Sequence, residues 1–293
     1  IFMTKDFGQN WVKVRIPTEP PVGGFTSAIP SNNIGLGDYN VTNGRGVLDI
    51  TMAIDPSNPN IVYVGGYNPP GTASGYHPIT FGYLAGEIFR RVDGRTMGTA
   101  LREDLAGPFG LDLWIGLPDA EHGRVADLQR PGGLPDFGEI NAATKAAFLT
   151  PWSSPGGRGQ AEWRRIEIPS ANGHATAPAL ARLMGALAGG GWLDGETILS
   201  PALIAEASRE RIFGQDLVLP FVMSWGAGFM RNAPVKVWGP GEATFGHSGW
   251  GGSCAFADPQ TRLAGAYVMN KQSTDLIGDA RARRLIEAAY AAL

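Results

Sequence analysis

The spacing of apolar residues changes near Pro69-Pro70, and this change most limits what the chain can fold into. Before it, Leu48 to Asp55 and Ile61 to Gly66 read as two strands joined by an Asp-Pro-Ser-Asn-Pro turn. After it, Phe81, Leu84, Ile88, Phe89 and Val92 recur at helical spacing from Thr80, and Asp93-Gly94 ends that helix. A second short helix is expected within Leu101 to Leu113, then a mixed, loop-rich stretch from 114 to 175. The spacing predicts a helix over Pro178 to Leu187, with Pro at its start and Gly189-Gly190-Gly191 after its end. Ser200 caps another, opened by Pro201 and running to about Glu210. Three strands follow at Ser224–Met230, Ser253–Ala257 and Leu263–Asn270, with Asp258-Pro259-Gln260-Thr261 turning between the last two. Thr274 to Leu293 reads as an amphipathic helix. Helices first, then antiparallel strands, then a last helix argue for an α+β fold, an antiparallel sheet flanked by helices and preceded by a short all-β segment.

Composition narrows the class. A chain of 293 residues with 43% apolar content, eight Trp and thirteen Phe can build a sizeable core, which excludes disorder. The net charge is −3 and the 24 basic residues form no stripe, so nucleic acid is not an expected partner. No apolar run reaches the roughly 18 residues of a spanning helix, so no membrane partner is expected. A basic leader followed by an apolar stretch is also not seen, and the bacterial cytoplasm is the default compartment. The single cysteine, Cys254, cannot form an intrachain disulfide and reads as a small buried residue in a strand. His77, His122, His174 and His247 have no metal-ligand spacing, so zinc is not expected.

Two motif sets carry more. Thr4-Lys5-Asp6-Phe7-Gly8-Gln9-Asn10-Trp11 matches a tight hairpin in which Asp caps backbone N–H groups, Gly takes a positive φ and Trp packs beneath. With the strand–turn–strand at 48–66 it resembles one repeat of an Asp-box β-propeller, the sialidase-like and sortilin-like kind. In that reading Thr4, Asp6, Gly8 and Trp11 are structural, and residues 1–67 form a propeller-blade-like segment. One blade cannot close a propeller, which takes about four to eight.

The second set is spread over residues 70–293. Pro70-Gly71-Thr72 with Tyr76, Ser170-Ala-Asn172-Gly173-His174, Phe245-Gly-His247-Ser248-Gly249-Trp250-Gly251-Gly252-Ser253, and the Ala257-Asp-Pro-Gln and Tyr267-Val-Met-Asn270 hairpin occur in one order. Together they resemble the β-lactamase-like serine hydrolases, in particular family VIII esterases and the related 6-aminohexanoate-oligomer hydrolases. That resemblance implies hydrolysis of a small-molecule ester or amide through an acyl-enzyme, without metal or cofactor. It makes Tyr76 the general base or proton shuttle and gives Trp250 an oxyanion-stabilising backbone N–H. His247, Ser248, Gly249, Gly251, Gly252 and Asn172 would line the substrate site. Pro78 stands where β-lactamases carry Asn, which makes β-lactam hydrolysis the less expected activity.

The nucleophile of that family lies in Ser-x-x-Lys, and no serine in this chain has a lysine three positions on. The implied domain at 70–293 therefore lacks its N-terminal nucleophile part, and the chain reads as chimeric or truncated. It is expected to be inactive, or nearly so, alone. A second reading is a non-catalytic binding module built on the Asp-box piece. A third is a partner chain that supplies the missing nucleophile.

Overall fold

In the computed structural model, residues 75–150 and 157–293 are described, together with the backbone of four short strands nearer the start. Of these, β1 (Phe2–Met3) pairs antiparallel with β2 (Val12–Lys13), and β3 (Thr51–Ile54) with β4 (Val62–Gly65). The strand–turn–strand expected over 48–66 is thus a hairpin, in register from Thr51↔Gly65 to Ile54↔Val62. Thr4, Asp6, Gly8 and Trp11 lie outside the described residues.

The helical part opens with α1 (Thr80–Asp93) and α2 (Met97–Ala100), which a π-helical turn (Leu101–Ala106) extends. Then come β5 (Leu113–Trp114), a 3₁₀ turn (Asp119–Arg124), α3 (Ala142–Thr144) with its own π-helical turn (Lys145–Leu149), and α4 (Ala161–Arg165). Next are β6 (His174–Ala175), α5 (Ala177–Ala188), β7 (Trp192–Leu193), β8 (Glu196–Thr197) and α6 (Pro201–Ser208). The last third holds β9 (Ile212–Gln215), β10 (Val222–Trp225), β11 (Met230–Arg231), β12 (Phe245–Ser248), β13 (Cys254–Asp258), β14 (Leu263–Tyr267) and α7 (Ala280–Ala291).

Local chemistry sets the helix ends. Gly94, at φ 94°, closes α1 by donating its N–H to Arg90 O at 2.9 Å, a conformation that costs glycine little. Thr176 caps α5 through Ala179 N, and Ser200 caps α6 through Leu203 N at 3.2 Å. Asp279 caps α7, which therefore begins at Ala280 and not at Thr274 as its amphipathic spacing suggested.

Strands β14-β13-β12-β11-β10-β9 form one six-stranded antiparallel sheet in that order. The expected strand at Ser224–Met230 is in fact two. The chain turns at Gly226, whose N–H meets Phe229 O at 2.8 Å, and Gly228 supplies a φ of 85°. Residues alternate across β13. Cys254 and Phe256 pack with Trp238 and with Ala282 and Ile286 of α7, whereas Ala257 faces Met184, Leu187 and Ala188 of α5. The sheet is thus covered by α7 on one face and by α5 and α6 on the other, the helix-flanked α+β arrangement the sequence suggests. Cys254 is buried in its strand. Trp238, Phe245 and Phe256 are buried, and each such side chain contributes about 1.5–3 kcal/mol.

The long loop from β11 to β12 is tied by one side chain. Asn232, fully buried, donates from Nδ2 to Gly239 O (2.9 Å) and Gly241 O (2.8 Å) and accepts from Trp238 N (2.9 Å). This clamp seats Trp238 under the sheet and delivers the chain to β12, which carries the site.

Candidate functional site

Tyr76 enters the site just before α1. Its N–H donates to Asp216 Oδ1 at 3.1 Å, and the same oxygen accepts from Val218 N (2.8 Å) and Leu219 N (2.9 Å). A buried carboxylate therefore fastens the approach to α1 onto the turn between β9 and β10. The Tyr76 ring stacks on Trp225 at the end of β10, with centroids 5.4 Å apart and planes within 8°. His247 of β12 lies against both rings at 5.9 Å. Sheet register explains the meeting: Trp225 pairs with Met230, and Met230 with Gly246, which places His247 one residue past that row.

Burial and the nearby Asp216 carboxylate push the Tyr76 phenol up to about 12. Both causes act in the same direction, so at neutral pH the phenol is a proton donor. Burial also lowers the pKa of His247, whose ring opens on the cavity yet is crowded by protein. Its Nδ1 lies 2.8 Å from Ser248 O. A carbonyl only accepts, so Nδ1 carries the hydrogen and Nε2 of the neutral ring keeps a free lone pair. Of the two groups, His247 is thus the one able to take a proton at neutral pH.

The turn after β12 is built on glycine. Gly251 and Gly252 adopt φ of 96° and 122°. A Cβ on Gly251 would stand 2.8 Å from Gln272, and one on Gly252 would stand 2.3 Å from Asp279 Oδ2. Gly249 N donates to Ser253 O at 2.7 Å and closes the turn. Trp250 projects from it, edge-on to Phe148 (6.0 Å) and Phe137 (6.5 Å). The Ser248 hydroxyl and the Trp250 indole nitrogen are buried with no partner among the described residues, two polar groups open to a ligand or water.

These side chains line one cavity of about 930 Å³, within the size range of small-molecule sites. Its opposite wall carries Trp114, Trp163 and His174, on β5, α4 and β6. Asn172 borders this wall, but its amide is satisfied inside its own loop. It accepts from Ile168 N (2.9 Å) and donates to Trp163 O (2.8 Å) and Ile166 O (2.6 Å). In this structure Asn172 shapes the loop that presents His174. Among the described residues, no group of three or more His, Cys, Asp or Glu is placed to hold a metal ion.

The structure therefore brings Tyr76, His247, Ser248, Gly249 and Trp250 to one cavity. Sequence reasoning missed Asp216, Trp225, Phe148 and Arg158 there. Asp216 had a signal, since an Asp opening a short apolar turn is a common Asx-turn arrangement. The others had none, because their role depends on contacts between residues far apart in the sequence.

The sequence matches the beta-lactamase family over residues 53–290, a span that begins within β3. A Mycobacterium tuberculosis protein named esterase/beta-lactamase LipL is 35% identical over 219 residues, covering 70% of this chain and 50% of that relative. The fold is similar to a penicillin-binding protein homologue from Caulobacter crescentus, at 72% identity and TM-score 0.74 over 76% of this chain and 60% of that one. It is also similar to a family VIII carboxylesterase, at 41% identity and TM-score 0.69 over 78% of this chain and 60% of that one. The chain thus spans half the length of the curated relative and 60% of each of these two structures.

Proposed function

The chain belongs to the beta-lactamase family, and on that premise we propose that it carries the substrate cavity of a serine hydrolase of short-chain carboxylic esters or amides, without the serine that attacks them. The observation that carries this reading is the convergence of Tyr76 with His247 and Trp250 on one cavity. The similarity to a family VIII carboxylesterase and to a protein named esterase/beta-lactamase supports esters as the substrate class.

In the proposed roles, the Trp250 backbone N–H faces the carbonyl oxygen and Tyr76 donates a proton to the leaving group. His247, Ser248 and the glycines of the turn hold the scissile group. With no Ser-x-x-Lys in the chain, acyl transfer falls to background. Loss of the nucleophile in comparable serine enzymes costs about 10⁶ in rate. The Asp-box reading of residues 1–67 stands as a separate part of the proposal, tested by deleting that segment and measuring ligand binding again.

The experiment is the intact mass of the folded chain after exposure to a fluorophosphonate, paired with tryptophan fluorescence during titration with phenyl butyrate. The expected result is no adduct together with saturable quenching. A stable single adduct refutes the inactive state, and a folded chain without saturable quenching refutes the ester site.

A further inference from the structure

The cavity wall beside Trp250 carries a cation with no counter-charge among the described residues. Arg158, in the loop before α4, lines the cavity with its guanidinium 5.0 Å from the centroid of Trp250 and 5.9 Å from that of Trp163. Among the described residues, no carboxylate or other acceptor is bonded to it. Of the other cations on the wall, three arginines have acidic partners. Arg124 pairs with Asp112 and with Glu121 (2.6 Å), and these are the acidic residues that line the cavity. Arg281 is held by Asp279 at 2.6 Å, and Arg164 has Asp127 at 3.9 Å.

More positive charge gathers at this end. Gln129 N donates to Asn270 O at 2.6 Å and Gln272 N to Gln129 O at 3.0 Å, a parallel bridge that sets Lys271 beside Gln129. Lys271 lines the cavity without a carboxylate partner among the described residues. Arg130 follows Gln129 and is close enough to Arg158 to lower its proton affinity, after the larger effect of burial. A guanidinium within reach of two indoles and near a second arginine gains a modest cation–π attraction, about 0.5–1 kcal/mol, while its hydrogen-bonding fork stays unfilled. A carboxylate fills that fork in a bidentate way.

We propose that Arg158 anchors a carboxylate carried by the substrate, so that the cavity selects monoesters of short dicarboxylic acids over neutral esters. The inference rests on the ester-site reading above and deepens it. Trp250 contacts the anchor and follows His247 by three residues on the lining of the same cavity, so the aliphatic chain of such a substrate runs along the indole with the ester toward Tyr76 and His247. Arg158 is then a specificity-determining residue.

The test compares monomethyl glutarate with dimethyl glutarate, which differ in the charge of one end, by calorimetric titration of the intact chain at low salt. The expected result is at least tenfold tighter binding of the monoester. The Arg158→Met variant should bring the monoester down to the level of the diester, so that the ratio of the two affinities falls to about one. Equal binding by the parent chain overturns the inference while a saturable diester keeps the ester site standing. If neither ligand binds, both fail. A preference that survives in Arg158→Met also overturns it. Should that variant fail to fold by circular dichroism, Arg158→Lys decides: it keeps the charge, loses the planar fork, and should lose several-fold of the preference, whereas an unchanged preference overturns the inference.

Discussion

Replacing Asp279 with Asn should destabilise the fold in a manner that vanishes in acid. Asp279 is 3% exposed and lies under the glycine turn that holds Trp250. Its Oδ1 accepts from Arg281 N at 2.8 Å to cap α7, and the Arg281 guanidinium meets Oδ2 at 2.6 Å. The bonds from Arg281 outweigh burial and hold the carboxyl at about 2. The unfolded value is about 3.9, and each tenfold change in proton affinity is worth about 1.4 kcal/mol, so the gross contribution is about 2.6 kcal/mol. The Arg281 side chain is 34% exposed, and solvent screening reduces the expected cost to about 1–2 kcal/mol at pH 7. A depressed folded pKa means that the unfolded chain takes up the proton first as pH falls. The stabilisation is thus complete above about pH 5, about half remains at pH 3, and little is left at pH 2. The assay is urea unfolding of the parent and the Asp279→Asn variant at pH 7, 5 and 3, where comparing the two cancels every other carboxylate. A gap between them that stays constant from pH 7 to pH 3 would refute the electrostatic account and assign the loss to packing. Asp279→Ala should lose about 1 kcal/mol more, since it also removes the cap.

Asn232→Ala leaves one N–H and two carbonyls without partners, and urea unfolding should show a loss of at least about 3 kcal/mol. Burial pushes the phenols of Tyr76 and Tyr290 up to about 12, so in an alkaline absorbance titration Tyr76→Phe or Tyr290→Phe should each remove one late-ionising tyrosine. Burial likewise pushes the Cys254 thiol up to about 11, and a disulfide reagent at pH 8 should label it only after denaturant is added. Gly252→Ala should disturb the Trp250 turn, read as a change in near-ultraviolet circular dichroism, because its Cβ would overlap Asp279 at 2.3 Å and φ is 122°.

What the sequence made legible follows from the range of the interactions involved. Helix ends depend on one or two neighbouring residues, and Gly94, Thr176-Ala-Pro178 and Ser200-Pro201 mark theirs. The β13–β14 hairpin was readable from its Asp-Pro-Gln-Thr turn. Strand β9 was not, because Ile212-Phe-Gly-Gln is short, carries a glycine and leaves Phe213 62% exposed at the sheet edge. Both sides of the candidate site could be named, since each is a local motif. Their meeting could not, because it depends on register across β10, β11 and β12 and on Asp216 holding Tyr76 over Trp225. Asn172 has a second role that its motif does not announce. Its motif suggested a ligand contact, while its amide bonds to three backbone groups of the loop.

On the proposed reading, the absent Ser-x-x-Lys removes two things at once, and Tyr76 reports the second. The serine is the nucleophile. The lysine is the cation that would let a neighbouring tyrosine give up its proton near neutrality. Burial and the Asp216 carboxylate both raise the Tyr76 phenol, and among the described residues no cation opposes them. A unit charge 4 Å away, at an effective dielectric of about 20, is worth about 4 kcal/mol. That is about three powers of ten in proton affinity, enough to carry the phenol from about 12 to about 9. Restoring a serine alone would therefore leave its proton with nowhere to go except His247. The aromatic wall, the glycine turn and the cavity can bind an ester without that pair of residues, whereas turnover needs both.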